Sequence, residues 1–569
     1  MSGLPRLQHK YAISTGVFLL VTIAAVMFIT LVPLLFLLYQ TFFTPEYAGN
    51  LAVFTLKNYV SVFTDPATLT VLKNSTEFAF GSSFVALFVG GTMAWVTERT
   101  RTPGRQWMYL VNMVPLILPG ILVTMAWVFL LSPKIGLLNL LVTKLFFLNK
   151  PPFNVYSMGG MIWIQGIHWA PFAFITLAGT FRAMNPDLEE AATVSGAGIW
   201  NSLRMVTLPI NLPAILSLFL ILLVRGLENF VVPAVVGIPA GIDVFTSRIY
   251  EAVAKSYPAN LGLASTYSVV LMIVTGIGLG LYYMATRESS SFATITGKGY
   301  RARLIDVGKW RYATVAIYAL YVMVAVLLPL IMLIWVSITP YSMAISGKNF
   351  HLVTLNNYVE VFNYPGVVGA MFNTVYLSFF ASLIIVMLGV MTSFIVVKMK
   401  LKGGRILDVL GTLPLTFPGT VVGVALATLY LRLPVAIYGT VWILLIAFVT
   451  RFLPYGIRAA NSSLLQVHAE LEEAAAISGA SLVRTLVMIT LPVVLSGMVG
   501  TFIYVMTLVI REFPSVVLLY GPQSRVIAVQ LFEMWESAAF NQAAALGVLM
   551  ILFLSALALL MRRFQAKES

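Results

Sequence analysis

The sequence contains no cysteine, and only 10% of its 569 residues are charged, against about 25% in average soluble domains. Without cysteine, a disulfide framework, a zinc–thiolate site and an iron–sulfur site are all excluded. So few charges could not cover the surface of a soluble protein, and 59% of the residues are apolar, with a mean hydropathy of +0.93. The composition excludes disordered, collagen-like and nucleic-acid-binding chains and predicts an all-α polytopic membrane protein.

Twelve apolar runs are long enough to cross a bilayer as helices. The predicted spans are 16–39, 76–96, 107–131, 158–182, 212–236, 264–286, 312–338, 374–396, 406–431, 436–460, 494–518 and 541–561. The net charge of +14 comes largely from basic loops at 97–106, 287–311 and 397–405, which share one side of the membrane with both termini. Because basic loops stay inside, both termini are predicted to be cytoplasmic in a bacterial inner membrane.

One segment on the opposite side departs from this charge pattern. Segment 132–157 carries Lys134, Lys144 and Lys150, with leucines at helical spacing between them. The pattern predicts an amphipathic helix that lies in the outer membrane surface. A landing surface for an external partner is the alternative.

The chain is a tandem repeat. FTLKNYVSVF at 54–63 recurs as VTLNNYVEVF at 353–362, an offset of 299 that also matches Pro119 with Pro418; later matches follow an offset of 283. The predicted domains are a first repeat at 1–286, a cytoplasmic linker at 287–311 and a second repeat at 312–569. Six spans in each repeat give both the same orientation, so the sequence predicts parallel repeats that form a pseudo-dimer around a pathway.

The strongest motif occurs once in each repeat, between the fourth and fifth spans. Loop 185–209 reads NPDLEEAATVSGAGIWNSLRMVTLP, and loop 468–492 reads HAELEEAAAISGASLVRTLVMITLP. Both contain E-A-A, then glycine after three residues, then Leu-Pro at the end. The shared positions are Glu190, Ala191, Ala192, Gly196 and Pro209 in the first loop, and Glu473, Ala474, Ala475, Gly479 and Pro492 in the second.

These loops are predicted to form helix–turn–helix hairpins. Asn185 is a good N-cap and Pro186 suits the first helical position. Gly196 and Gly479 would end the first helix through a left-handed backbone. A short amphipathic helix should follow at about 198–206 and 481–489, and the proline should block its continuation and start the next span. An ordinary loop hairpin is the plain alternative, but two copies with identical spacing argue for a function.

The two loops resemble the E-A-A signature of permease subunits of binding-protein-dependent ABC importers, and the six-span repeats resemble those permeases over almost the whole chain. The resemblance implies that the helix after the glycine is a coupling helix that docks on an ATPase, with Glu190 and Glu473 making the polar contact. It implies two cytoplasmic ATPase subunits and a periplasmic or lipid-anchored solute-binding protein as partners, besides membrane lipid. ATP and Mg²⁺ would be bound by the ATPase.

The chain itself is predicted to be a transporter subunit rather than an enzyme, with no catalytic residue, no metal site and no cofactor. Its nearest phosphate-loop candidate, Gly297-Lys298, is followed by Gly299 rather than Ser or Thr. Stretches such as PPFNVYSMGGMIWIQG and the run at 225–250 resemble ferric-iron importers, whose metal would be coordinated on the external binding protein. Thiamine, polyamines, phosphonates and sulfate are the alternative cargoes.

Charges and helix breaks within the spans are the pathway candidates. Arg225 and Glu228 lie on the fifth span, and Arg511 and Glu512 lie at the equivalent place on the eleventh. Such charges line a path or gate, or they form an ion pair that holds the bundle together.

Pro119 and Pro418 interrupt the third span of each repeat, either as breaks that line a cavity or as simple kinks. An ion-coupled secondary transporter that uses Glu228 and Glu512 is the competing class, but it has no use for two patterned hairpins. A membrane enzyme lacks a catalytic constellation here.

Overall fold

The computed structural model describes residues 4–45, 52–185, 187–289, 304–345, 347–399, 403–480 and 482–565, and these form helices joined by short turns. The helices of the first repeat are α1 (Leu4–Gln40), α2 (Lys57–Thr64), α3 (Pro66–Arg99), α4 (Trp107–Ile117), α5 (Gly120–Leu131), α6 (Leu137–Leu145), α7 (Met158–Ala183), α8 (Asp187–Val194), α9 (Ile199–Ser202), α10 (Leu208–Leu227), α11 (Phe245–Tyr250) and α12 (Leu261–Ser289).

The second repeat has the same order of helices, apart from a divided first span and no counterpart of α6. Its helices are α13 (Arg311–Val322), α14 (Leu328–Ser337), α15 (Asn356–Asn363), α16 (Val367–Ser393), α17 (Gly404–Thr412), α18 (Gly419–Tyr430), α19 (Val441–Leu465), α20 (Ala469–Ile477), α21 (Leu482–Thr485), α22 (Leu491–Arg511), α23 (Ile527–Glu536) and α24 (Phe540–Gln565).

The described residues contain nine helices that are long and apolar enough to cross a membrane, and twelve if each bent helix pair counts as one span. This confirms the predicted all-α polytopic fold of about twelve spans. Two of the bent pairs are the third spans: α4 meets α5 at 96°, and the helical segment 404–416 meets α18 at 109°. Pro119 and Pro418 stand at these breaks as the residues before α5 and α18, because proline cannot donate the hydrogen bond that would continue the helix.

The repeat extends to individual hydrogen bonds. Asn58 Nδ2 donates to the carbonyl oxygens of Thr41 and Phe43, both at 2.9 Å. Its counterpart Asn357 donates in the same way to the carbonyls of Ser337 and Thr339. Each asparagine therefore holds the turn that follows the first span of its own repeat. The two halves thus share a local fold as well as the order of their spans.

The two halves are interlocked through their first spans. Helix α1 of the first repeat packs on α17 and α18 of the second, and α14 of the second packs on α5 of the first. Val26 on α1 is fully buried in a cluster with Ile395, Leu407, Leu453 and Ile457, all from the second repeat. Each first span therefore completes the core of the opposite half.

The fifth spans begin and end earlier than the sequence predicts. Runs 212–236 and 494–518 were the expected spans, whereas α10 covers Leu208–Leu227 and α22 covers Leu491–Arg511. Pro233 and Pro514 follow shortly after these ends and exclude a regular continuation. The charged residues consequently lie at the ends of two helices, where the chain turns, rather than in the middle of two spans.

The segment at 132–157 contains one nine-residue helix, α6. The buried Asn139 side chain ties this helix to the chain on both sides, since it donates to the Leu131 carbonyl at 2.8 Å and accepts from the Phe153 amide at 2.9 Å. The predicted helix is therefore present but short. Its location in the membrane surface stays a prediction.

Candidate functional site

Both E-A-A loops fold as hairpins with the predicted glycine turn. Helix α8 is followed by Gly196 at φ +86°, and α20 is followed by Gly479 at φ +76°. The amide of Ala197 donates to the Ala192 carbonyl at 2.9 Å, and the amide of Ala480 donates to the Ala475 carbonyl at 3.0 Å. These bonds close a helix end that needs a left-handed residue. Asn185 Oδ1 accepts from the Asp187 amide as predicted for an N-cap, while Pro186 lies outside the described residues.

The prediction that Pro209 and Pro492 stop the second helix is wrong. Helix α9 continues through a π-helical turn, Leu203–Thr207, directly into α10, and α21 continues through Leu486–Thr490 into α22. The wider π turn precedes each proline, which then occupies the first turn of the following helix, where its missing N–H is tolerated. Each coupling helix candidate thus runs directly into the fifth span of its repeat, and α22 then bends by 67° between Leu495 and Gly497.

The E-A-A residues differ in how far they reach the surface of each hairpin. Glu473, Ala191 and Ala474 are exposed, Glu190 and Ala192 are half-buried, and Ala475 is buried. Trp200 on α9 is 70% exposed. A large exposed indole on such a hairpin is typical of a protein contact surface.

A neighbouring glutamate that the sequence analysis did not single out is the buried anchor of the first hairpin. Glu189 is 3% exposed and Arg99, at the end of α3, is 1% exposed. Arg99 Nε donates to Glu189 Oε2 at 3.0 Å, and its Nη2 forms an ion pair with the same oxygen. Thr207 donates its hydroxyl to Glu189 Oε1. Glu189 therefore joins α3, α8 and the π turn before α10.

The only sequence signal for this anchor is the doubling of the glutamate in both loops, Glu189-Glu190 and Glu472-Glu473. At the position of Arg99 the second repeat has Lys398, whose Nζ donates to the Val467 carbonyl at 2.8 Å. Two adjacent acids on a helix point about 100° apart. One can therefore face the bundle while the other faces outward.

The four charged candidates at the ends of α10 and α22 lie between the halves, together with Arg451 of α19. We call Arg225, Glu228, Arg451, Arg511 and Glu512 the charged layer. Glu228 accepts from Arg225 at 3.1 Å within the first repeat and pairs with Arg451 of the second at 3.5 Å. Arg511 of the second repeat donates to the Leu116 carbonyl of the first. Charged contacts thus cross the boundary between the repeats twice.

The arginines of the charged layer also occupy the breaks of the third spans. A broken helix leaves carbonyl oxygens without partners at its C-terminal end. Arg451 reaches the carbonyls of Pro414 and Phe417 before the second break, and Arg511 reaches Leu116 before the first. Glu512 Oε1 accepts from the Ser515 amide at 3.1 Å and lies beside Gly419. The breaks at Pro119 and Pro418 are therefore built into the contact between the halves and are more than simple kinks.

Four aromatic rings adjoin the charged layer. We call Phe230, Tyr250, Phe513 and Phe532 the aromatic layer; all four are buried. Phe230 and Phe513, equivalent at the offset of 283, stack with ring centroids 5.5 Å apart. Tyr250 lies 5.2 Å from Phe230, and Phe532 lies 4.9 Å from Phe513. A contact between equivalent residues of two repeats marks the axis that relates the repeats, so the aromatic layer lies on that axis.

The described residues contain no group of three or more His, Asp or Glu side chains that could hold a metal ion. His168 is half-buried on α7 near the first helix break. Its Nδ1 has no hydrogen-bond partner among the described residues. The site is thus two exposed hairpins, each joined by one helix to a charged and aromatic contact between the repeats.

Comparison with known proteins assigns this arrangement to a family. Residues 86–283 and 385–567 each match the family described as "Binding-protein-dependent transport system inner membrane component". A ferric transport system permease protein of Actinobacillus pleuropneumoniae is 26% identical over 94% of this chain and 77% of its own length. A putative ferric transport system permease protein of Haemophilus influenzae is 26% identical over 86% of this chain and 77% of its own length.

Relatives with other printed substrates also match. A putative 2-aminoethylphosphonate transport system permease protein of Salmonella typhi is 28% identical over 41% of this chain and 80% of its own length. It matches only part of the chain, as expected for a relative of one repeat, whereas the ferric transport relatives align with both. The chain belongs to the inner membrane components of binding-protein-dependent transport systems, as a fused permease with two copies of the family domain.

Proposed function

We propose that this permease forms the translocation pathway of an ABC importer and couples ATP hydrolysis by a separate ATPase to uptake of a solute. The observation that carries the proposal is the continuity of each hairpin with its fifth span. Helix α10 has 20 residues, so a displacement of the hairpin is transmitted along about 30 Å of helix to the charged layer. The connection of the first repeat runs from Ile199 to Leu227 as one span, whereas α22 of the second repeat bends by 67° between Leu495 and Gly497. A continuous helical connection of this kind suits the switching of a pathway from one side of the membrane.

The partners follow from the two hairpins. We propose that α9 and α21 are the coupling helices, each docking on one of two ATPase subunits, which bind the ATP and Mg²⁺. Glu190 and Glu473 would make the polar contacts, supported by their accessible positions on the two hairpins. The hairpins and both termini would then lie in the cytoplasm, and a periplasmic or lipid-anchored solute-binding protein would deliver the cargo outside.

We propose ferric iron as the cargo because the two ferric transport relatives align over most of both repeats. Phosphonate is the second candidate, supported by the aminoethylphosphonate relative. Thiamine, polyamines and sulfate remain as the other cargoes to be tested. Cells that carry this permease with its ATPase and binding protein should accumulate radioactive iron, and unlabelled competitors from the other classes should not reduce that accumulation.

The coupling assignment is tested by the double variant E190A/E473A. Loss of both carboxylates should abolish uptake, and the ATPase should dissociate from the permease. The permease itself should stay in the membrane, because both side chains belong to the hairpins and not to the spans. Asp187 and Glu470 provide a matched control: they are exposed acids at equivalent positions in the same two helices. The double variant D187A/E470A should retain uptake. Normal uptake by E190A/E473A would refute the assignment.

The proposed assembly also has a defined composition. One chain supplies two hairpins, so the complete complex should contain one copy of this chain and two ATPase subunits. Native mass spectrometry of the purified complex measures this ratio directly. Two copies of the permease per complex would contradict it.

A further inference from the structure

The charged layer has an unequal number of charges. It contains three arginines, Arg225, Arg451 and Arg511, and two glutamates, Glu228 and Glu512. Glu228 Oε2 forms ion pairs with both Arg225 and Arg451, and Glu228 Oε1 has no hydrogen-bond partner among the described residues. One positive charge in this contact between the halves is therefore not balanced by a carboxylate.

Arg511 is the arginine of the charged layer that forms no ion pair among the described residues, and the neighbouring Glu512 attracts it only from a greater distance. In the described part of the chain no carboxylate lies within ion-pair distance of its guanidinium, which instead donates to the carbonyls of Leu116 and Thr507. Carbonyls at a helix end carry only a partial negative charge, and each third-span break also presents the positive N-terminal end of the next helix half. The partial charges of the two helix ends at each break therefore roughly cancel, and the excess positive charge of the arginines remains.

The excess charge borders an open cleft. Arg225 of the first repeat faces Tyr455 and Tyr504 of the second. The Arg225 side chain is nevertheless 28% exposed and Tyr504 is 42% exposed. Within the described residues α10 and α22 do not pack along their lengths. The two fifth spans are therefore separated on the hairpin side, where these exposed side chains lie, and we call the space between them the cleft.

We propose that this cleft binds an anion, either a free oxyanion or a metal ion that crosses inside an anionic complex. An arginine without an ion-paired carboxylate, close to exposed polar side chains of both repeats, is suited to bidentate recognition of oxyanion groups. The proposal rests on the proposed function as a permease and narrows the class of its cargo. Iron would cross as an oxyanion complex rather than as a bare cation, and a polyamine would be rejected by like charge.

Binding to the purified permease in nanodiscs tests this inference. The probes are radioactive phosphate, radioactive citrate with and without Fe³⁺, and radioactive spermidine as the cationic comparison. We expect binding of phosphate, citrate or ferric citrate and none of spermidine. Binding of phosphate alone would identify a free oxyanion as the cargo form, whereas binding that requires both citrate and Fe³⁺ would identify the complex.

Substitutions of opposite sign separate anion binding from a structural role. R511Q and R225Q should each weaken binding of the anionic probe about tenfold or more, and E228Q should tighten it, because it frees two guanidinium groups. R248Q is the matched control, since Arg248 is ion-paired with Asp243 and Glu251 away from the charged layer. It should leave the affinity unchanged. If R511Q fails to fold, R225Q and E228Q still give opposite predicted changes.

The inference would be overturned if the unaltered permease bound spermidine or bound no anion. It would also be overturned if R225Q, E228Q and the unaltered protein bound the anion with equal affinity. Iron uptake by cells is measured in parallel and keeps the two proposals separate. Iron uptake without anion binding would leave the proposed function standing and refute the anion site. Anion binding without iron uptake would refute ferric iron as the cargo and leave the anion site standing.

Discussion

Adjacent glutamates in the first hairpin have opposite environments. Glu190 is half-buried, whereas Glu189 is buried in an ion pair with Arg99 and accepts a hydrogen bond from Thr207. A buried charge that loses its partner is strongly destabilising. Substitution of Glu189 should therefore lower the stability of the permease, whereas substitution of Glu190 should impair its coupling to the ATPase.

Replacing Glu189 with glutamine should lower the free energy of unfolding by about 3 kcal/mol or more, because Arg99 is left buried without a counter-charge. Thermal unfolding of the detergent-purified permease measures this loss. D187N, two residues away at an exposed acid of the same helix, is the control and should leave the unfolding temperature unchanged. Replacing both partners, as in R99M/E189M, should recover most of the stability. A double variant as unstable as E189Q would contradict a pairwise role.

The sequence identifies the outward-facing residues more readily than the anchor. Repeated spacing was sufficient to find Glu190, Glu473 and the two glycines, because those positions recur in both loops. Arg99 and Glu189 are 90 residues apart, and nothing in their local patterns connects them. Arg99 was interpreted only as one basic residue that sets the orientation of the membrane spans. Contacts between distant segments depend on how the spans pack, which one sequence alone does not specify.

At the scale of elements, the hairpin turn depends on a left-handed glycine. Gly196 has φ +86°, and a Cβ added there would meet no atom within 4 Å. Replacing it with alanine should therefore cost only the conformational strain, about 1–2 kcal/mol. We expect G196A to loosen the hairpin and reduce transport without affecting insertion into the membrane.

Gly198, two residues later, provides the matched control for this prediction. It is also free of neighbours within 4 Å, but its φ is −69°, which alanine adopts readily. G198A should leave transport near its normal level, and limited proteolysis of the hairpin should be faster only in G196A. Equal effects of the two substitutions would show that lost flexibility, and not the left-handed backbone, matters.

Proline patterns predict helix breaks better than they predict helix continuity. The breaks at Pro119 and Pro418 were expected from sequence and occur at angles of 96° and 109°. The expected breaks before Pro209 and Pro492 are absent, because a π turn carries the helix into each proline. In the second repeat a bend of 67° follows further along, between Leu495 and Gly497. A π turn has no clear sequence signature, and the proline inside the first turn of a helix costs little. The mechanical link between hairpin and span was therefore visible only in the structure.

At the scale of the whole molecule, the aromatic layer joins the two repeats on their common axis. Phe230 and Phe513 stack there, and replacing both with alanine removes the largest buried surfaces of this contact. We expect F230A/F513A to let small solutes pass without ATP. Flux of a small dye from proteoliposomes that contain the permease measures this leak. F88A, at an exposed ring of α3, should give none, and a tight double variant would show that the aromatic layer does not seal the path.

The interlocked first spans predict that the two repeats remain associated when the chain is cut between them. Helix α1 packs on the second repeat and α14 packs on the first, and buried Val26 of α1 belongs to a core cluster of the second repeat, so neither half has a complete core alone. Fragments 1–296 and 297–569, when co-expressed, should therefore copurify and restore uptake, whereas each fragment alone should be degraded. Removing residues 1–40 from the first fragment takes away α1, exposes the cluster around Leu453 and should abolish copurification. Copurification of fragment 41–296 at the normal level would show that the exchange of first spans does not hold the halves together.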